Sequence, residues 1–376
     1  MQVLAYGGEK PLPFQRAICE SQALEPGITG NFTINSMVKV VDKVGCNPTN
    51  ASIHAPEVID CLRNKDTQCL FDASAATLVA NGANNLGDVW LPAVDGDFLP
   101  DAPSKLIAEN RFGNVSLMLG WTQNDVNPFT NISISDAKDT LDFVAGYIPG
   151  MPREVLQPQW DETLDIMELY PENDFVPPPG TNLTANFYRS STILRDILMI
   201  CEPLYLAKAM FNKGGDVYMY NWNQTLLDPI IESVQNLSGM GVVHTSEFAY
   251  IYADLAHYNV SDYPFNPTQT DYDLLNRASK TWIDFAYYGT TWEERYPGAD
   301  PNSGGGLKGW RQAFWRPGDV NSAPKSGFPY VFTIGGPQEG LFPLAGPDSP
   351  PQISSQKLVE RCDYFNDPTI IQYLGY

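Results

Sequence analysis

The chain has 376 residues, of which 43% are hydrophobic, and this content can bury the core of one large domain or two ordinary ones. With 44 acidic against 23 basic residues, the formal net charge of -21 repels phosphate backbones and anionic membrane surfaces. The longest apolar segment, residues 191–211, is interrupted by Arg195, Asp196, Glu202 and Lys208, so it does not reach spanning length. We therefore expect a globular protein with no membrane span and no nucleic-acid partner.

Short apolar runs alternate with longer helical patterns along the chain. Four runs predict strands: FQRAICES from Phe14, NVSLMLGW from Asn114, DVYMYNW from Asp216 and PYVFTI from Pro329. Strands of nearly continuous apolar content that are joined by helices favour a mostly parallel sheet covered on both sides. The predicted fold class is therefore α/β, and no repeat or low-complexity tract divides residues 1–376 into more than one domain.

Two helices stand out between these strands. One is predicted from Phe187 to Phe211, kinked at Pro203 and closed by Gly214. The other is predicted over residues 271–288, with one apolar face and a glycine after it.

Two loops that follow predicted strands carry reactive side chains. TQNDVNPF follows the second strand and holds Asp125, while GVVHTSEF comes some way after the third and holds His244. In open parallel sheets, reactive groups lie on loops beyond the carboxyl ends of the strands. A carboxylate beside an imidazole fixes its tautomer and stabilises the imidazolium after proton transfer. Asp125 and His244 are thus a candidate acid and base, although a lone loop histidine is more often structural and 43 other acidic residues compete with Asp125.

Eight N-x-S/T sequons and six cysteines indicate a glycosylated protein of an oxidising, secretory compartment. The N-terminal sequence MQVLAYGGEKPLPFQ, however, has no basic n-region and no long apolar core, so it is not a signal peptide. We expect the signal to lie upstream of Met1. The predicted glycosylation sites are Asn31, Asn50, Asn114, Asn131, Asn182, Asn223, Asn236 and Asn259.

From its first residue to its last, the chain resembles the C-terminal part of the type-B carboxylesterase/lipase family, the cholinesterase-like branch of the α/β-hydrolases. MQVLAYGG and FQRAICESQA look like the helix and strand that follow the family's nucleophile elbow. AVDGDFLPDAPSKLIAENRFGNVSLMLGWTQNDVNPF is similar to the segment that leads to the triad acid, and GVVHTSEFAYIY to the segment of the triad histidine. The resemblance implies an α/β-hydrolase fold with Asp125 as triad acid and His244 as base, although Val126 replaces the glycine that often follows the acid.

The chain departs from this family at the nucleophile. No G-x-S-x-G motif occurs in it, although the family's serine lies in such an elbow. We expect the elbow and the glycine-rich oxyanion loop upstream of Met1, and we expect this chain to be inactive alone.

The resemblance also implies a disulfide between Cys46 and Cys61, which close a small loop in many members of the family. An alternative is a zinc site of Cys46, His54, Cys61 and Cys69, although these spacings match no tight C-x2-C pair. Cys19, Cys69, Cys201 and Cys362 cannot be paired from the sequence. His54 and His257 are expected to be surface residues.

The resemblance favours a secreted hydrolase that cleaves a small-molecule or lipid carboxylic ester through a Ser-His-Asp mechanism, without cofactor or metal. A monomer is expected. The alternative is a non-catalytic, cholinesterase-like binding or adhesion protein. A third reading, a mature 376-residue product with another activity, would leave the first strand as an exposed apolar sheet edge.

Overall fold

Within the part of the chain that the structure describes, a central sheet of five strands organises the fold. The computed structural model describes residues 1–47, 51–81, 89–148, 150–151, 166–291, 305–319 and 322–376. The strands lie in the order in which they occur in the chain, and the first four are parallel while the fifth pairs antiparallel with the fourth. They are β1 (Arg16–Glu20), β2 (Ser116–Thr122), β3 (Val217–Trp222), β4 (Tyr330–Ile334) and β5 (Gly340–Pro343). The four parallel strands are the four that the apolar runs predict.

The central strand β3 shows why the strands read as nearly continuous apolar runs. All six of its residues are buried because helices cover both faces of the sheet. The Tyr220 ring lies across β2 at Gly120, where an added Cβ would lie 2.2 Å from a ring carbon. Glycine is therefore required at this position of β2.

Helices surround the sheet and carry the chain between its strands. Short 3-10 helices occur at Gln2–Gly8, Asn127–Phe129, Glu172–Asp174 and Leu255–Tyr258. The α-helices are α1 (Phe32–Lys43), α2 (Pro56–Arg63), α3 (Thr67–Asn81), α4 (Pro103–Ala108), α5 (Ala137–Tyr147), α6 (Ile166–Leu169), α7 (Ala185–Arg195), α8 (Glu202–Asn212), α9 (Asp228–Gln235), α10 (Phe248–Ile251), α11 (Gln269–Tyr288), α12 (Pro351–Ser354), α13 (Leu358–Phe365) and α14 (Pro368–Leu374).

The segment predicted as one kinked helix contains a π-helical turn. Helix α7 passes into a π turn at Asp196–Cys201, and α8 continues from it. Pro203 lies in the first turn of α8, directly after the π turn, and because proline has no N–H it cannot donate a helical hydrogen bond back to that turn. The interruption is therefore a widened turn before the proline. No helix of the described residues is long and apolar enough to cross a membrane.

The second predicted helix is confirmed as α11. Thr268 and Asp271 form a capping box at its start, and Gly289, with φ +76°, ends it in the left-handed conformation. Its apolar face packs on the sheet with Trp282 and Phe285 among its buried residues. Helices α7, α8 and α13 contribute buried side chains to a larger cluster that covers the opposite face.

Two disulfides connect elements of the fold. Cys46, just after α1, is joined to Cys61 in α2, which removes two of the four ligands of the alternative zinc site. Cys201, at the end of the π turn, is joined to Cys362 in α13, 161 residues further along the chain. Cys19 and Cys69 are free thiols.

Candidate active site

Asp125 lies at the carboxyl edge of the sheet, three residues beyond β2, and is fully buried. Its Oδ2 accepts hydrogen bonds from the Ser21 hydroxyl at 2.6 Å and from the backbone N–H of Thr122 at 2.9 Å. Ser21 follows β1 directly and has a φ of +50°, an uncommon conformation for a residue with a side chain. The ends of two parallel strands thus converge on one carboxylate.

The structure brings His244 to the other oxygen of this carboxylate. His244 Nδ1 lies 2.6 Å from Asp125 Oδ1, and the histidine side chain is 32% exposed. Its Nε2 has no hydrogen-bond partner within the described parts of the chain. The Phe129 ring packs edge-on against the imidazole, with 5.5 Å between centroids. The imidazole is therefore held on one nitrogen and accessible on the other.

Hydrogen bonds join the two loops that carry these side chains. Asn124 donates its N–H to the Val242 carbonyl and accepts the Val242 N–H on its side-chain oxygen. The side-chain amide of Asn127 donates to the Met240 carbonyl at 2.9 Å. Gly241 has a φ of +72°, and a Cβ there would lie 2.3 Å from Asn124 Oδ1. A side chain at Gly241 would therefore disrupt the contact that aligns Asp125 with His244.

The electrostatics of the pair favour the protonated imidazole. The hydrogen bond to Asp125 raises the pKa of His244, and the negative charge of Asp125 adds to this effect, while partial burial of the ring opposes it. A histidine poised in this way can accept a proton near neutral pH and hold it as a stabilised imidazolium.

The carboxyl group of Glu247 interacts electrostatically with Asp125, His244 and Glu20. Glu247 is buried three residues after His244, and burial together with repulsion from Asp125 raises its pKa to about 8. Burial also raises the pKa of Glu20, which accepts a hydrogen bond from the Trp282 indole N–H at 2.9 Å. The raised pKa favours the neutral form of Glu247 near neutral pH, which limits the negative charge around Asp125.

The remaining predicted residues lie away from this site. His54 and His257 are exposed. Asn50 lies outside the described residues, and of the other seven sequon asparagines all are exposed except Asn223, which is half-buried. No group of three or more His, Cys, Asp or Glu residues suited to a metal ion occurs in the described residues.

Sequence reasoning missed Ser21 and the Thr122 N–H as partners of Asp125. One feature of the sequence could have indicated Ser21, since it directly follows a predicted strand at the sheet edge where Asp125 and His244 were expected. A backbone N–H carries no such signal.

Comparison with known proteins gives a secreted lipase of Arthroderma benhamiae, 39% identical over all of this chain and 61% of that protein. An inactive carboxylesterase-like protein of Byssochlamys spectabilis, VdtD, is 26% identical over 73% of this chain and 47% of its own length. The chain thus spans less than two thirds of the length of either relative.

A crystal structure of Aspergillus niger EstA superposes with a TM-score of 0.67 at 17% identity, covering 100% of this chain and 62% of the other. This likeness confirms the predicted α/β-hydrolase fold. A family model described as the carboxylesterase family matches residues 8–323. The chain therefore belongs to the carboxylesterase family.

Proposed function

We propose that this chain supplies the acid and the base of a serine-dependent carboxylic ester hydrolase. The observation that carries the proposal is the 2.6 Å contact between buried Asp125 and His244 Nδ1, which leaves Nε2 accessible. Family membership and the similarity to a secreted lipase support the choice of an ester as substrate.

The proposed reaction is an acyl transfer in two halves. His244 Nε2 takes the proton of a serine hydroxyl as its oxygen attacks the ester carbonyl carbon, and Asp125 stabilises the resulting imidazolium. His244 then donates this proton to the departing alkoxide, which leaves as an alcohol. Water, activated by the same nitrogen, attacks the acyl-serine, so that the acid product leaves and the serine regains its proton.

In this proposal the nucleophile comes from a serine outside these 376 residues, since no G-x-S-x-G motif occurs among them. We propose that residues 1–376 form the C-terminal part of a single hydrolase domain, whose elbow serine and oxyanion donors come from additional sequence. Alone, the chain is expected to be inactive, since its base has no nucleophile to activate.

The same relatives and the surface chemistry support the proposed substrate class and location. A net charge of -21 disfavours anionic substrates, so a neutral small-molecule or lipid ester is proposed, with no cofactor. Two disulfides, exposed sequons and the name of the Arthroderma relative support secretion.

A non-catalytic binding protein is the second candidate. The absence of an elbow motif from the sequence and the similarity to the inactive protein VdtD favour it. The two candidates differ in one feature, which is whether the complete coding sequence contains an elbow serine.

The first step of the test is to sequence the transcript upstream of codon 1. The second is to assay hydrolysis of p-nitrophenyl esters by the 376-residue chain and by the same chain joined to any upstream coding segment. We expect hydrolysis only with the upstream segment, and its loss by several orders of magnitude in His244→Ala. His257→Ala, at an exposed histidine 13 residues further on, is the matched control with unchanged rates. A full-length transcript without the elbow serine would support the binding protein, and a normal rate in His244→Ala would refute the proposed base.

A further inference from the structure

The loop that carries Asp125 is attached to helix α7 on both sides of the acid. Arg195 donates from Nη1 to the carbonyl of Gln123, two residues before Asp125, at 2.7 Å. The Ser191 hydroxyl donates to the side-chain oxygen of Asn127, two residues after it. Ser191 and Arg195 are four residues apart, so they lie one above the other on the same face of the helix.

These two contacts differ in kind from those between the loops. The bonds from Asn124 and Asn127 to residues 240–242 join the acid loop to the histidine loop, and the two loops can shift together without breaking them. Helix α7, in contrast, is packed in the large core cluster through Ile193 and Leu194, both fully buried. Contacts with α7 therefore fix the loop on both sides of the acid to the body of the fold, in addition to the bonds from Ser21 and the Thr122 N–H that hold the carboxylate itself.

Arg195 is itself held in place by a buried network. Asp196 Oδ1 accepts from Arg195 Nε at 3.0 Å and from Nη2 at 2.7 Å. The other oxygen of Asp196 accepts from the Tyr170 hydroxyl at 2.8 Å and from Arg361 Nη1 at 3.4 Å. Arg361 stacks on the Tyr170 ring and directly precedes Cys362, whose disulfide leads back to the π turn that begins at Asp196.

Burial gives this network a fixed geometry. Arg195, Asp196, Arg361 and Tyr170 are each no more than 4% exposed. A buried guanidinium must satisfy its donors within the protein, because water does not compensate for a lost partner. Asp196 takes two donor nitrogens of Arg195 and so leaves Nη1 directed at the Gln123 carbonyl.

We propose that Ser191 and Arg195 are positioning residues that clamp the acid loop and hold Asp125 in register with His244. Neither residue touches Asp125 or His244, so each acts through the backbone and side chains that flank the acid. The effect of this clamp on catalysis rests on the proposed function. The alignment of Asp125 with His244 does not depend on it.

The experiment uses the titration of His244 in the 376-residue chain as the readout. Only three histidines occur in the sequence, so histidine-selective isotope labelling resolves each of them by NMR, with His244→Ala to assign the signals. In the wild type we expect a raised pKa for His244 and a strongly downfield Nδ1 proton. In Arg195→Met, the pKa should fall toward that of an ordinary histidine and the downfield proton should weaken, while the signals of His54 and His257 stay unchanged.

Arg189→Met is the matched control for loss of a buried arginine. Arg189 lies on the same helix, is 5% exposed, and donates to the Met167 carbonyl rather than to the acid loop. We expect it to lower stability without moving the His244 titration. Arg195→Lys should restore part of the shift, because an ammonium group beside Asp196 can still donate to the Gln123 carbonyl. An equal shift in Arg189→Met and Arg195→Met would overturn the clamp, since general loosening would then explain both.

Ser191→Ala provides a second variant if Arg195→Met does not fold, as judged by near-ultraviolet circular dichroism. This variant removes one hydroxyl and should lower the pKa of His244 by less than Arg195→Met does. Unchanged titration of His244 in a folded Ser191→Ala or Arg195→Met protein would refute the corresponding half of the clamp. In the assembled esterase, Arg195→Met should lower kcat roughly 10²-fold with little change in KM. The NMR measurement needs no nucleophile. It therefore tests the clamp even if the proposed function is wrong.

Discussion

Glu247 should make the stability of this protein depend on pH in a direction opposite to that of most carboxylates. Burial and the nearby charge of Asp125 raise its pKa from 4.5 to about 8. Between these values, the folded protein holds a proton that the unfolded chain has released. The free energy of unfolding therefore falls as pH rises through this window, because the native state binds more protons than the unfolded state.

The size of this effect follows from the shift. At 1.36 kcal/mol for each pKa unit, the change from 4.5 to about 8 corresponds to a loss of roughly 5 kcal/mol between pH 4 and pH 9. Solvent screens this effect little, since Glu247 is only 3% exposed. Glu247→Gln keeps the shape of the neutral acid and removes the titration. It should match the wild type near pH 4 and be more stable by several kcal/mol at pH 9.

Urea unfolding of both proteins at pH 5, 7 and 9 measures the difference. Glu232→Gln, on an exposed position of α9, is the matched control and should show no comparable gain at high pH. A difference between Glu247→Gln and wild type that is the same at pH 5 and pH 9 would refute the reasoning, since it would mean that the carboxyl is ionised in the folded protein.

Three further predictions follow from the structure. Asp125→Asn should lower the pKa of His244, measured by NMR, and slow ester hydrolysis by the assembled enzyme about 10⁴-fold. In the wild type, the hydrolysis rate should rise with pH as His244 loses its proton, with a midpoint above that of an ordinary histidine because Asp125 raises the pKa of His244. Replacing Cys201 and Cys362 together by alanine should lower the free energy of unfolding, measured with urea, by about 5 kcal/mol. Removing the Cys46–Cys61 bridge should lower it by about 3 kcal/mol, because that bridge closes a shorter loop.

The sequence predicts the parallel strands and the approach of Asp125 to His244 because both depend on topology. Side chains that follow neighbouring parallel strands meet at one edge of the sheet wherever the connecting helices lie. Strand β5 was missed because Gly340–Pro343 is short and is bounded by residues that do not favour strands. The Cys201–Cys362 bridge was missed because pairing across 161 residues depends on how the finished helices pack.

The π turn was missed for a different reason. Hydrophobic periodicity reveals a change in helical phase only where buried and exposed positions alternate. Residues 193–203 are all buried, so no exposed face marks the widened turn. Similarly, the clamp by Ser191 and Arg195 has no sequence signal, since a backbone carbonyl is one of its acceptors.

The π turn affects where this chain can tolerate a deletion. A hydrogen bond from i to i+5 encloses one residue more than an α-helical turn needs. Deleting one of residues 197–200 would remove this surplus residue and restore a regular α-helix with almost no rotation of the helix that follows. Leu206, Ala207 and Met210 would then still face the core that buries them. A one-residue deletion at this point should therefore be tolerated far better than the same deletion within α8, which would rotate all later residues of that helix by about 100°.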